Sequence, residues 1–122
     1  MFELDITKEF SAAHQLIGYQ GPCSQLHGHN WTVQVFVTAE KLNELGFAMD
    51  FRVLKKALAQ ILERYDHHFL NDLPEFRDTN PTSENIARFI YRDLSASVSY
   101  PGVKISKVRV CESPSSGASY SE

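Results

Sequence analysis

In the stretch GPCSQLHGHNW, from Gly21 to Trp31, one of the chain's two cysteines stands four residues ahead of a His-x-His pair. A thiol and two imidazoles so spaced fit a metal site, a nucleophile with its base, or a polar turn. Which of these applies depends on the elements that carry them. His27 and His29 have the parity of Trp31, Val33, Val35 and Val37, so both point to the apolar face of an extended segment. His14 has the parity of Phe2, Leu4, Ile6, Phe10 and Ala12 in the preceding alternating segment, and it too points inward. Three neutral imidazoles on the inward faces of two strands can converge on one point. They suit zinc, and three protein ligands leave a fourth position open, as catalytic zinc sites do. The competing account is three core histidines satisfied by backbone partners. A His-x-His pair in phase with a third histidine favours the metal.

Cys23 falls in the turn before these ligands. As a fourth ligand it would close the site and make it structural; left free beside a metal, its thiol would be acidified into a base or nucleophile. Cys111 has no histidine near it in the chain and reads as a packing residue. Asp66 directly precedes His67 and His68, an order that suits a proton relay in which a carboxylate orients an imidazole. A solvated loop pair explains the same residues. Glu112 follows the parity of Val108 and Val110, which puts a carboxylate on an inward face where an unpaired charge is costly. A ligand edge offering two parallel N–H donors would satisfy it bidentately.

Strict alternation makes FELDITKEFSAAH and HGHNWTVQVFVTA half-buried strands, with a break at LNELG. FRVLKKALAQILERY changes to helical period, with Asp50 placed to cap it and a stripe of Phe51, Leu54, Leu58, Ile61, Leu62 and Tyr65. The loop DHHFLNDLPEFRDTNP leads to a second helix. Pro81 and Thr82 are its start signals, and Ile86, Phe89, Ile90 and Leu94 form its buried stripe. VKISKVRVCE returns to strand, its apolar parity slipping as a bulge near Ser106 would cause. The end, SPSSGASYSE, is a frayed tail or a last short strand. The order ββααβ predicts an α+β fold with an antiparallel sheet, in one domain over residues 1–122.

A 122-residue chain with 43% hydrophobic and 22% charged residues has the make-up of an ordinary globular domain. A net charge of −3 argues against a general grip on nucleic acid, though not against a local pocket for a small anion. No apolar run is long enough for a membrane span, and MFELDITKEF is too acidic for a signal peptide. Two cysteines without an export signal predict reduced thiols and a cytoplasmic protein.

The segments FSAAH, CSQLHGHNW, MDF, LERYDHHFLND, NPTSENIA and CES occur in the order found in the 6-pyruvoyltetrahydropterin synthase family, which this chain resembles over essentially its whole length. Its Cys-x-x-x-His-x-His spacing is most similar to the bacterial branch, the 6-carboxy-5,6,7,8-tetrahydropterin synthases of queuosine biosynthesis. The resemblance implies a four-stranded antiparallel sheet with two helices on one face. Three such sheets close a twelve-stranded barrel, and two trimers stack into a homohexamer. It further implies zinc on His14, His27 and His29, with Cys23 as catalytic base and Asp66 with His67 as a dyad acting from a neighbouring subunit. Glu112 would anchor the pterin, with Thr82 and Ser83 beside its ring. The expected substrate is 7,8-dihydroneopterin triphosphate, converted to 6-carboxy-5,6,7,8-tetrahydropterin with release of acetaldehyde and triphosphate. Within the family the alternative stops at 6-pyruvoyltetrahydropterin. Outside it, a non-catalytic zinc-binding module closed by Cys23 is the rival, and a metal-free pterin aldolase would leave three inward histidines unexplained.

Overall fold

The computed structural model describes residues 1–122. Two long strands, β1 (Phe2–His14) and β2 (His27–Ala39), pair antiparallel in a register that sets Phe10 opposite Trp31, Ala12 opposite His29 and His14 opposite His27. Helix α1 (Phe51–Leu62) follows, capped as its sequence predicts: the Asp50 carboxylate accepts the Arg52 N–H. Helix α2 (Ser83–Ser97) has Thr82 as its cap, the hydroxyl accepting the Asn85 N–H, so Pro81 stands one residue outside the helix. Strand β4 (Val103–Ser113) pairs with β2, and β5 (Ser116–Tyr120) turns back against β4. The C-terminal Ser/Gly-rich end is therefore a strand.

The bulge falls where the parity slip puts it. Val35 faces Val108 and Phe36 faces Lys107, but Val37 faces Ile105, leaving Ser106 as the extra residue. Its hydroxyl donates to the Phe36 carbonyl at 3.1 Å, which satisfies the kink locally. By absorbing one residue, the bulge lets Ile105, Val108 and Val110 all point to the same core.

That core lies between one face of the sheet and the two helices. Ile6, Phe10, Trp31, Val33, Val35 and Val37 pack against Leu54, Leu58 and Leu62 of α1 and Ile86, Ala87, Ile90 and Leu94 of α2. Each large side chain so buried contributes roughly 1.5–3 kcal/mol. Two expectations need correcting. Phe51 is exposed rather than part of the buried stripe, because it occupies the first position of α1, beyond the reach of the sheet. The sheet has a fifth strand, β3 (His68–Phe69), beyond the four antiparallel ones: order β3-β1-β2-β4-β5. After α1 the chain runs along the free edge of β1, and only Ala12 and Ala13 find partners, so two residues pair in parallel and no periodic pattern marks them.

Candidate active site

Strand register brings the three histidines together. His14 and His27 face each other across β1 and β2, and His29 lies two residues along on the same face, so their ring centroids stand 4.5 to 5.2 Å apart. Trp31 forms the floor, edge-on to His14 and His29 at 4.8 and 5.1 Å; its indole N–H donates to the Ala12 carbonyl and Phe10 stacks beneath it.

The backbone fixes which ring nitrogen of two histidines carries hydrogen. His14 Nδ1 lies 2.8 Å from the Pro81 carbonyl and His27 Nδ1 lies 2.7 Å from the Gln25 carbonyl. A carbonyl only accepts, so both Nδ1 atoms are donors and both Nε2 atoms of the neutral rings present lone pairs. Those Nε2 atoms face each other at 2.9 Å. Two lone pairs at that distance repel unless a cation or proton lies with them. Burial, the largest influence, holds His14 below the usual imidazole range against the opposing pull of the Pro81 carbonyl. His29 Nε2 is buried with no hydrogen-bond partner, 3.6 Å from Glu112 Oε2. Burial likewise lowers His29, with Glu112 opposing. The three imidazoles offer nitrogens within 4.8 Å of one another, a donor set that fits a metal ion.

Cys23 is not a member of that cluster. It lies half-buried on the tight turn Pro22–Ser24 ahead of β2, its carbonyl accepting the Leu16 N–H at 3.2 Å. Asp66 and His67 form a real pair, with His67 Nδ1 2.9 Å from Asp66 Oδ2. Ser11 of β1 holds both, its N–H donating to Asp66 Oδ1 at 2.9 Å and its carbonyl accepting the His67 N–H at 2.6 Å. This double grip keeps His67 in the left-handed region, φ 59°, where non-glycine residues are uncommon. The Ser11 N–H, then His67, lower the Asp66 carboxyl below its ordinary range, so it stays ionised to orient the imidazole. The His67 side chain is 81% exposed. It borders an open hollow of about 560 Å³ whose lining includes Ser11, Ala13, Gly28, Asn30 and also His29, one of the three clustered histidines.

Glu112 is half-buried and lies where the β4–β5 register shifts between Cys111 and Ser113. Beyond its approach to His29, it shares a cleft of about 210 Å³ with Ser83, Glu84 and Ser116. Thr82 is not part of that lining; its hydroxyl is occupied in capping α2. Cys111 packs as expected, its sulfur lying where a side chain at Gly117 would collide with it. The contacts that sequence did not reveal are Ser11, the carbonyls of Gln25 and Pro81, and the Trp31 floor. Trp31 alone carried a signal, its shared parity with His27 and His29.

Fold and site together describe a small α+β scaffold whose sheet presents three convergent imidazoles and a neighbouring carboxylate at one end of the core. The profile of the family described as 6-pyruvoyl tetrahydropterin synthase matches residues 3–122. The chain is 40% identical over 122 residues to the 6-carboxy-5,6,7,8-tetrahydropterin synthase of Synechocystis sp., covering 94% of this chain and 91% of that protein. It is 39% identical over 100 residues to the protein of the same name from Bacillus subtilis, with 78% of this chain and 66% of that one covered. The structure of 6-pyruvoyl tetrahydropterin synthase from Caenorhabditis elegans superposes with a TM-score of 0.89 at 29% identity, over 99% of this chain and 95% of that one. The chain belongs to the 6-pyruvoyl tetrahydropterin synthase family and is a lyase-type enzyme.

Proposed function

We propose that this protein converts 7,8-dihydroneopterin triphosphate and water to 6-carboxy-5,6,7,8-tetrahydropterin, acetaldehyde and triphosphate, with zinc held by His14, His27 and His29. The observation that carries the proposal is the convergence of three imidazole nitrogens, two with facing lone pairs and one with no partner at all. Zinc at that point supplies Lewis-acid polarisation of the substrate's side-chain hydroxyls.

The chain's own residues do the rest. Glu112, between His29 and the cleft that Ser83 borders, accepts the paired N–H donors of the pterin edge and sets the ring beside the cluster. Thr82 stands next to Ser83 and holds the start of α2 at that cleft. Cys23, as thiolate, takes the carbon-bound proton of the side chain. His67, oriented by ionised Asp66, relays a proton to the rearranging side chain. Because His67 is exposed, it is free to serve the site of a neighbouring subunit in the trimer that the family resemblance implies. Free thiols at Cys23 and Cys111 favour a reducing compartment, the cytoplasm. The queuosine route is the pathway that this product would enter, and residues 1–122 act as one domain.

The likeness to the Caenorhabditis elegans structure supports a second product, 6-pyruvoyltetrahydropterin, reached by triphosphate elimination alone. The sequence relatives favour the carboxy product. One incubation with dihydroneopterin triphosphate and zinc, followed by mass analysis and an acetaldehyde assay, separates them. A 6-carboxypterin with acetaldehyde is expected. A pyruvoyl product without acetaldehyde moves the protein to the other reaction, and no turnover by the zinc-loaded oligomer overturns both.

A further inference from the structure

The edge pairing that β3 makes with β1 continues past the end of the strand. The Asn71 side chain takes the backbone of Gln15 in both directions: Gln15 N–H donates to Asn71 Oδ1 at 2.9 Å, and Asn71 Nδ2 donates to the Gln15 carbonyl at 2.8 Å. Two residues on, Asn80 repeats the arrangement. Ile17 N–H donates to Asn80 Oδ1 at 2.8 Å, and Asn80 Nδ2 donates to the Ile17 carbonyl at 2.9 Å. A carboxamide presents one acceptor and one donor much as a peptide unit does, so each asparagine stands in for a strand that is missing. Asn80 is itself anchored, its carbonyl accepting the Thr82 N–H and Asn85 Nδ2, both at 2.9 Å.

In an extended segment, residues 15 and 17 turn their N–H and C=O groups to one edge and residue 16 turns its own to the other. On that other edge, Leu16 N–H donates to the carbonyl of Cys23. The two asparagines and Cys23 thus grip opposite edges of the same three residues, immediately after the ligand His14. The asparagine bonds add little stability, since the exposed groups at Ile17 would otherwise bond water. What they supply is placement.

We propose that Asn71 and Asn80 are positioning residues for the Cys23 thiol: they fix Gln15–Ile17, and through Leu16 they set the turn Pro22–Ser24 that leads into His27. This rests on the assignment of Cys23 as the base. The test uses the full chain with zinc in a Cys111→Ser background, so that a single thiol reports. Asn71→Ala and Asn80→Ala should keep zinc stoichiometry and KM, while kcat falls roughly 10- to 100-fold, the scale of a misplacement of about 1 Å. The kinetic profile of Cys23 alkylation by iodoacetamide at one fixed pH should change in the same variants, because a displaced thiol meets the reagent differently. Asn80→Asp keeps the acceptor for Ile17 N–H and loses the donor, and should fall between. It also serves if the alanine variant does not fold. Unchanged alkylation profiles and kcat in folded, zinc-loaded variants overturn the proposal. Loss of zinc together with kcat overturns it too, because the asparagines would then be holding the cluster. Cys23→Ala separates the two ideas. Wild-type turnover there ends the base assignment, while the alkylation profile still decides whether the asparagines place the thiol.

Discussion

At the scale of single residues, the most informative contact is the one between His14 Nε2 and His27 Nε2, because hydrogen bonding at each Nδ1 leaves two lone pairs pointed at each other. Replacing His27 and His29 together by alanine should strip the metal while leaving a folded protein, since neither side chain belongs to the apolar core. Zinc content by atomic emission checks this, and full occupancy in the double variant refutes the ligand assignment. Glu112→Gln preserves shape but offers one acceptor and an unwanted donor to the pterin edge. Affinity for a pterin, read by fluorescence quenching, should weaken by about 1.5–3 kcal/mol, the worth of a charge-assisted hydrogen bond. Unchanged affinity would place the ring elsewhere. Parity in the sequence was enough to point His14, His27 and His29 to one side. It put Glu112 on that side too, where the carboxylate lies 3.6 Å from His29 and is half-buried at a register shift that no alternation rule anticipates. Nor did sequence show that Glu112 approaches His29, a contact made between strands far apart in the chain.

At the scale of elements, the bulge at Ser106 lets Ile105 point to the same core as Val108 and Val110. Deleting Ser106 would restore a plain register and keep Ile105 and Val103 on the inner face, because Val37 already pairs with Ile105 and only the extra residue is lost. Stability should therefore fall by less than about 2 kcal/mol, the worth of one large buried side chain, measured by urea denaturation. A larger fall would mean that the bulge itself, and not only the register, holds β4 in place. Both strands, the cap at Asp50, the cap at Thr82 and this bulge were legible in the sequence, since each is written in local periodicity or a single capping residue. Strand β3 was not, because two residues carry no period and pair only where the end of β1 leaves an edge. Phe51 misled for a related reason: its spacing matches the stripe of α1, but the first turn of a helix projects beyond the sheet that covers the rest.

At the scale of the whole molecule, β1 has no partner along its outer edge from Phe2 to Phe10, and the outer edge of β5 is likewise free. Such edges invite pairing with another copy of the chain. The family's barrel would use them, and light scattering should report six copies of the 13.9 kDa chain. A sharper check asks whether the dyad crosses between subunits. Co-expressed Cys23→Ala and His67→Ala chains, each inactive alone, should recover about a quarter of wild-type activity if each site draws its groups from two subunits in a symmetric ring. A dead mixture would return the dyad to its own chain. The hydrogen bonds that run from Ser11 to Ile17 along the segment bearing Asp66, Asn71 and Asn80 join positions 55 to 63 apart in the chain. A rim closed over such long separations forms after the β1–β2 pair has made its own contacts. In kinetic terms, weakening it by Asn80→Ala should leave the refolding rate nearly untouched and speed unfolding instead. The rim that carries Asp66, Asn71 and Asn80 would then be the last part to arrive on folding and the first to let go, while the strands bearing the three histidines stay paired.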